Sequence, residues 1–478
     1  MSETLKFRKY TGAFRKNSDG RTVLFEQNAA SVSMKEAEKF SLEDSLRDPE
    51  IPLPVLRHSF GTSGSEEDYS ILDNYRSMND RERELAVCIN SDGTLKNLDY
   101  HQLRIPVDSR SYSHPVGPIH AGIIEPGHFR FYVTGEYIQM LHIRLGYQKR
   151  NLYRFLKNRS ALQVMPVIEA AASDSTVSYA TAGAEIFEQS AGISISQDMN
   201  LFRKVLLEVE RIAIHVGDIG AIAGDIGWYP LLGICATDRG IPLGVMESLT
   251  GSRFGKSAIF PGQMKINRNL TKDDLQRLSG RVKEVYDRVS REIRRTLLST
   301  TVRERLHDCG LISKTQVYEN GFIGMAARCT GAVQDLRLSQ KIYTETGLTL
   351  WNEEHSDQLT GDAWSRLYLR YVEFQNSCEW LMKVIPSLNV NISPEEGFSI
   401  LKRKDFQPGL YFSSVEGWRG PVLMALEISK EGKVLDSYIR DPSVLNWHAL
   451  ELAVRGELIG DFPLNNKSFN LSYIGVDL

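Results

Sequence analysis

Five ionisable side chains, Glu208, Arg211, His215, Asp218 and Asp225, follow one another at intervals of three, four, three and seven residues. A helix advances about 100° per residue, so this spacing lines all five along roughly a third of its circumference. A ladder of such groups can relay protons. The same pattern equally suits ion pairs that fix neighbouring helices, which is what charge ladders more often do. Burial decides between the two uses.

The ladder needs a helix beneath it, and the apolar residues supply one. Val205, Leu206, Val209, Ile212, Val216, Ile219, Ala223 and Ile226 recur at spacings of three and four, the mark of a helix packed on a core. Gly224-Asp225-Ile226-Gly227-Trp228 follows, and its glycines permit close approach of another backbone. A second helix opens at Thr271-Lys-Asp-Asp274, where the hydroxyl can satisfy a free amide, and carries Leu275, Leu278, Val282, Val285 and Val289 on one side. A third runs from about Ala363 to Val384. Upstream, Phe129, Phe131 and Val133 alternate with His128, Arg130, Tyr132 and Thr134, a strand with one covered face, and Gly135-Glu136 is a turn. From Leu410 shorter alternating segments return, among them Val422, Met424 and Leu426.

These elements predict an α+β fold, a central helical bundle flanked by β-rich N- and C-terminal segments. Residues 1–113 are polar and loop-prone, with charged stretches at Glu66–Asp68 and Asn79–Glu84 and short apolar runs such as Leu85–Ile89, and read as a small α+β accessory domain. Pro115, Gly117 and Pro118 suit a linker, so the main domain is expected over 114–478.

Composition narrows the functional classes. With 42% hydrophobic residues in 478, the chain can bury a large core. The balance of 57 Lys and Arg against 60 Asp and Glu gives no electrostatic case for a nucleic-acid partner. No apolar run reaches about 18 residues, and Met1 to Lys16 is too polar for a secretion signal, so the chain is expected in the cytoplasm. Cys88, Cys235, Cys309, Cys329 and Cys378 include no Cys-x-x-Cys pair, which argues against a zinc ribbon, an iron-sulfur loop or a disulfide framework. The ten histidines form no compact ligand motif, which disfavours an independent metalloenzyme.

Four stretches together carry a family resemblance. They are Gly117-Pro-Ile-His120 running into Glu125-Pro-Gly-His-Phe-Arg130; Glu210-Arg-Ile-Ala-Ile-His215-Val-Gly-Asp-Ile-Gly220 with Asp225-Ile-Gly227; Gly331 with Asp335-Leu-Arg337 after Ala327-Arg328; and Val415-Glu416-Gly-Trp-Arg419-Gly420 followed by Arg440-Asp-Pro-Ser443. Over about residues 115–478 the chain resembles the large subunit of energy-converting nickel-iron hydrogenases, including the formate hydrogenlyase type, and its relative, the quinone-site subunit of respiratory complex I. The resemblance implies that residues 1–113 correspond to the accessory domain fused to this subunit in formate hydrogenlyase-type enzymes.

The departures from that pattern bear on the chemistry. Hydrogenases of this kind hold nickel and iron with four thiolates from two Cys-x-x-Cys pairs. Counted back from Glu188, the first pair falls on Ala172 and Ser175; the second, after Asp441-Pro442, falls on Ser443 and Asn446. Without the thiolates, hydrogenase chemistry is not expected, and no metal is assigned to this chain. The tail Asp441-Pro-Ser-Val-Leu-Asn-Trp447 is similar to the complex I version, whose old metal pocket is a quinone headgroup cavity. Gly146-Tyr-Gln-Lys-Arg150 resembles a Gly-x-Glu-Lys segment, with Gln148 in place of the acid.

Carried over residue by residue, the resemblance puts His128 at the hairpin histidine that hydrogen-bonds a quinone carbonyl, and Ser173 at the tyrosine that can supply a proton, with Tyr179 close by as the alternative. Asp174 is either a buried carboxyl of raised pKa that carries protons or a helix cap beside Ser175. Arg419 and Glu416 match residues lining the active-site side, Ser443 lies in the remodelled pocket, and Arg337 reads as a structural ion pair. The implied protein is the peripheral-arm large subunit of a membrane-bound energy-converting complex, on the cytoplasmic face of the cell membrane. It would bind no cofactor of its own, take electrons from an iron-sulfur small subunit, pass them to a quinone or similar acceptor, and attach to integral membrane subunits of an ion-translocating module. The other reading keeps the assembly but makes the chain a non-redox scaffold or a conformational and proton-coupling subunit.

Overall fold

The computed structural model describes residues 10–15, 21–27, 29–37, 110–120, 124–350, 359–392 and 406–478. Most of the expected accessory domain, including Glu66–Asp68, Asn79–Glu84 and Leu85–Ile89, lies outside the described residues. The fold class is as expected: a helical bundle with sheets at either end of the chain.

The bundle is built on α1 (Thr176–Ala191), α2 (Gln197–Asp225), α3 (Tyr229–Asp238), α4 (Gly240–Thr250), α5 (Lys272–Leu297) and α6 (Ala363–Val384). The hydroxyl of Ser196 accepts the amide of Met199 at the start of α2. Thr271 and Asp274 cap α5 reciprocally, as their spacing requires. The apolar stripe of α2 is buried from Val205 to Ala223. Where α3 crosses it, a Cβ on Gly220 would come within 2.6 Å of the Cys235 Cβ, so only glycine lets the two helices approach this closely.

Strands β4 (Ser111–Val116), β5 (His128–Thr134) and β6 (Tyr137–Arg144) form an antiparallel meander with Phe129, Phe131 and Val133 buried, as the alternation dictates. The expected boundary at 113/114 falls inside β4, which pairs with β5 along its length. A second meander, β7 (Gly409–Glu416), β8 (Pro421–Ile428) and β9 (Val434–Arg440), lies against α1.

Alternation in β8 points to one covered face, but both are covered. Val422, Met424 and Leu426 enter the main core, while Leu423 and Ala425 pack against Val23 and Phe25 of a third sheet, β1 (Tyr10–Arg15), β2 (Thr22–Gln27) and β3 (Val32–Ala37). The Phe25 ring stacks on Tyr438 with centroids 5.6 Å apart. Phe25→Ala is expected to weaken this sheet-on-sheet contact by about 3–5 kcal/mol, read as faster proteolysis within the first 37 residues while the rest of the chain stays intact.

Candidate functional site

The positions aligned with the four thiolates lie together around α1 and the turn after β9, and each has other work. Ala172 is core. The Ser175 hydroxyl accepts from the Trp418 indole N–H at 3.0 Å and donates to Asp174 at 3.3 Å. Ser443, at the start of α7 (Ser443–Ala453), accepts the Ser472 amide at 2.8 Å, and its own amide donates to Asp441 at 2.7 Å. Asn446 exchanges two bonds with the backbone of Ile323. Neutral oxygens and an amide already committed to protein partners do not suit a nickel-iron centre, which needs soft anionic sulfur. Cys235, Cys309, Cys329 and Cys378 stand elsewhere as buried core thiols, and burial pushes their pKa upward.

An ion pair occupies the centre of this region. Arg419 donates from both terminal nitrogens to Asp174, at 2.9 and 2.7 Å, donates from Nε to the carbonyl of Asn470, and lies 4.0 Å from the centroid of the Trp418 ring. Burial of Asp174 opposes its ionisation, but the guanidinium outweighs it and holds the carboxyl below its ordinary range. The expected raised pKa is therefore corrected: Asp174 is a carboxylate, because its partner, 245 residues away in the chain, is a bidentate cation. The capping alternative is corrected too. No side chain of the flanking residues caps α1; the carboxylate of Glu210 on α2 accepts the amides of Val177 and Ser178.

Beside the pair, a narrow cleft with a cavity volume of about 20 Å³, room for a water or a single substituent oxygen, lies between α2, α4 and the loops at Ser173 and Arg253. Ser173, Asp174, Glu210 and Arg253 are its polar lining, and Ile214, Met246 and Phe254 are among its apolar walls. Of the residues assigned to the site, it brings together only Ser173 and Asp174, with Arg419 behind. Tyr179 is fully buried and donates to Asp441 at 2.7 Å; burial, then the Asp441 charge, pushes its phenol well up, so it is sealed from the cleft and holds its proton. Ser443 is likewise fully buried. His128 begins β5 opposite Arg144, outside the cleft lining, and burial followed by the charges of Arg130 and Arg144 lowers its pKa, so the ring is neutral at pH 7.

The α2 ladder is buried from Glu208 to Asp218. Glu208 pairs with Arg211 and with Arg337 and accepts from Ser377 and Tyr343. Arg211 and His215 both reach Glu373, whose other oxygen takes Arg328 at 2.9 Å; Arg328 also pairs with Glu416 at 2.7 Å, and Arg337 with Asp335. Asp218 pairs with Arg370. Asp225 stands apart at the exposed end of α2, its pKa raised by partial burial. Four of the five positions are thus tied down internally, Glu208, Arg211 and Asp218 by ion pairs and His215, whose pKa burial lowers, by a hydrogen bond, and Arg337 is the ion-pair residue expected. Glu373, Arg370, Asp441 and Glu210 were not singled out by the sequence, yet Arg366, Arg370, Glu373 and Ser377 repeat at four, three and four residues along α6, the same signature as on α2.

Comparison with known proteins places this geometry. Residues 225–406 match the family described as the respiratory-chain NADH dehydrogenase 49 Kd subunit. The alpha chain of the membrane-bound hydrogenase of Pyrococcus furiosus is 25% identical, over 73% of this chain and 83% of its own length. Formate hydrogenlyase subunit 5 of Escherichia coli is 26% identical, over 80% and 68%, and a subunit of the NADH-quinone oxidoreductase of Desulfotalea psychrophila is 26% identical, over 72% and 91%. A chain of the membrane-bound sulfane sulfur reductase, an archaeal respiratory membrane complex, superposes with a TM-score of 0.69 at 19% identity, over 78% of this chain and all of that one. The chain is accordingly similar to the large subunits of membrane-bound hydrogenases and to the 49 Kd-type subunits of NADH-quinone oxidoreductases, and lacks the Cys-x-x-Cys pairs of a nickel-iron centre.

Proposed function

We propose that this chain is the peripheral-arm large subunit of a membrane-bound, complex I-like or hydrogenase-related oxidoreductase complex that works without nickel. Electrons come from a cluster in an iron-sulfur partner and leave on a quinone or similar small acceptor. The observation that carries this reading is the contrast at the positions aligned with the metal ligands: these are committed to internal contacts, while a narrow, apolar-walled cleft that admits a single oxygen lies beside Ser173 and the Asp174–Arg419 pair. Ser173 and Asp174 face the acceptor, and Arg419 holds Asp174 in place. His128 lies outside the cleft lining and presents a neutral imidazole from the hairpin, which can donate a hydrogen bond only to the part of the acceptor that extends beyond the cleft. The α2 network fixes α2, α6 and the Glu416 strand behind the cleft. No helix among the described residues is long and apolar enough to cross a membrane, so attachment is through integral membrane partners, at the cytoplasmic face.

Elemental analysis and electron paramagnetic resonance of the intact membrane complex test the reading. The expected result is no stoichiometric nickel, a cluster signal in the partner that responds to a short-chain quinone analogue, and a weaker response in His128→Ala. Nickel at one per chain overturns it. A complex with neither cluster nor quinone response is a non-redox coupler.

A further inference from the structure

Glu210 and Glu208 stand two residues apart on α2 and face different surroundings. Glu208 is held between Arg211 and Arg337. Glu210, 7% exposed, lines the cleft and pairs with no Lys or Arg among the described residues. Its partners are the amide of Val177 at 2.7 Å on one oxygen, and the hydroxyl of Ser178 at 2.7 Å with the more distant Ser178 amide on the other. From the other elements around it, the charged groups are Asp174, ion-paired with Arg419, and Arg253 on the exposed lip.

That arrangement is suited to both protonation states. As a carboxylate, Glu210 accepts three hydrogen bonds at the first turn of α1, where the helix dipole favours negative charge. As an acid, it can donate from the oxygen nearest Ser178, because a serine hydroxyl rotates from donor to acceptor without moving its oxygen. Only the hydroxyl hydrogen has to turn. Burial without a cation drives the carboxyl upward, the Ser178 and Val177 bonds pull it back, and the Asp174 charge adds to the rise; the balance falls at about 8.

We infer that Glu210 is the proton donor of the cleft, delivering a proton to the carbonyl-type oxygen of a small ring compound that rests at the cleft mouth and puts only that oxygen inside. This rests on the proposed quinone-reducing function and names its acid. Reduction of a quinone to the hydroquinone consumes two electrons and two protons. The electrons come from the iron-sulfur partner, one proton leaves the Glu210 carboxyl for the acceptor oxygen, the other comes from water, and the resulting carboxylate is reprotonated from solvent through the cleft.

Glu210→Gln keeps an acceptor oxygen for the α1 amides and removes the proton. In the intact complex it is expected to lower the quinone-reduction rate on the order of 100-fold and to abolish a wild-type decline in rate above about pH 8. Infrared difference spectroscopy on the isolated full chain gives a readout without electron transfer: a protonated-carboxyl band that titrates near that pH, is missing in Glu210→Gln, and shifts its midpoint when a short-chain quinone analogue is added. A complex that reduces quinone with the same rate and pH profile in both forms overturns the inference and leaves the proposed function standing. An infrared titration unchanged by the substitution or by the analogue also overturns it. A complex without quinone reduction, in which the carboxyl band still behaves as described, removes the proposed acceptor chemistry and retains Glu210 as the proton-exchanging group of the cleft.

Discussion

Glu373→Gln is expected to destabilise the folded chain by about 3–5 kcal/mol at neutral pH, the cost of leaving buried charges without their counter-ion. One Glu373 oxygen accepts from Arg328 at 2.9 Å, and the other from His215 at 2.9 Å and Arg211 at 3.3 Å, so the substitution turns an amide N–H2 towards cations. Burial alone would raise this carboxyl, but Arg328, the His215 hydrogen bond and Arg211 hold it well below its ordinary range. A carboxyl depressed in the folded state gives stability that is present above its unfolded pKa of about 4 and is lost as pH falls through the folded value. The difference between wild type and variant in urea titrations should therefore be full at pH 7 and narrow steadily in acid. A variant within about 1 kcal/mol of wild type at pH 7 would show that the network is not what holds α2 to α6.

Gly324→Ala should be comparably severe for a different reason. Gly324 has φ +61°, and a Cβ there would lie 2.1 Å from the Arg419 carbonyl oxygen and 2.4 Å from the Gly420 Cα. The left-handed conformation alone costs a side chain roughly 1 kcal/mol, and the collision is with backbone, which cannot rotate away. The turn carrying Arg419 must move, breaking the hydrogen bond from the Met325 amide to the Arg419 carbonyl. A loss of about 3 kcal/mol or more is expected, together with a change in tryptophan emission as Arg419 leaves the Trp418 ring. A stable variant with the Asp174–Arg419 pair and the emission unchanged would refute this account.

What the sequence makes legible here is local. The α2 and α5 stripes, the Thr271 cap and the β5 alternation follow from periods and hydrogen-bonding needs that lie within a few residues of each other. Asp174 shows the limit: its residue type suggests a titrating acid or a cap, but the cation that fixes its charge and the carboxylate that caps α1 in its place both come from elsewhere in the chain. Glu210 is hidden for the same reason, one position off the ladder and paired with amides 33 and 32 residues earlier. The second stripe on α6 is present in the spacing, but a single helix does not say which partner it will meet. Coverage of the outer face of β8 depends on strands nearly 400 residues upstream, and no alternation within β8 can signal that.

The network also has an order in which it can be completed. Glu208, Asp335 and Glu373 face Arg211, Arg328 and Arg337, an equal set of acids and guanidiniums, and all six lie before residue 374. Glu416 is the seventh and surplus charge; burial first, then the Asp335 carboxylate, raises its pKa despite Arg328. A chain growing from its N-terminus has a balanced interior once α6 has emerged, before the C-terminal meander is made. The meander then arrives with the one acid that has no guanidinium to itself, and it is received by Arg328 at 2.7 Å on one oxygen and by the Leu336 amide at 3.1 Å on the other.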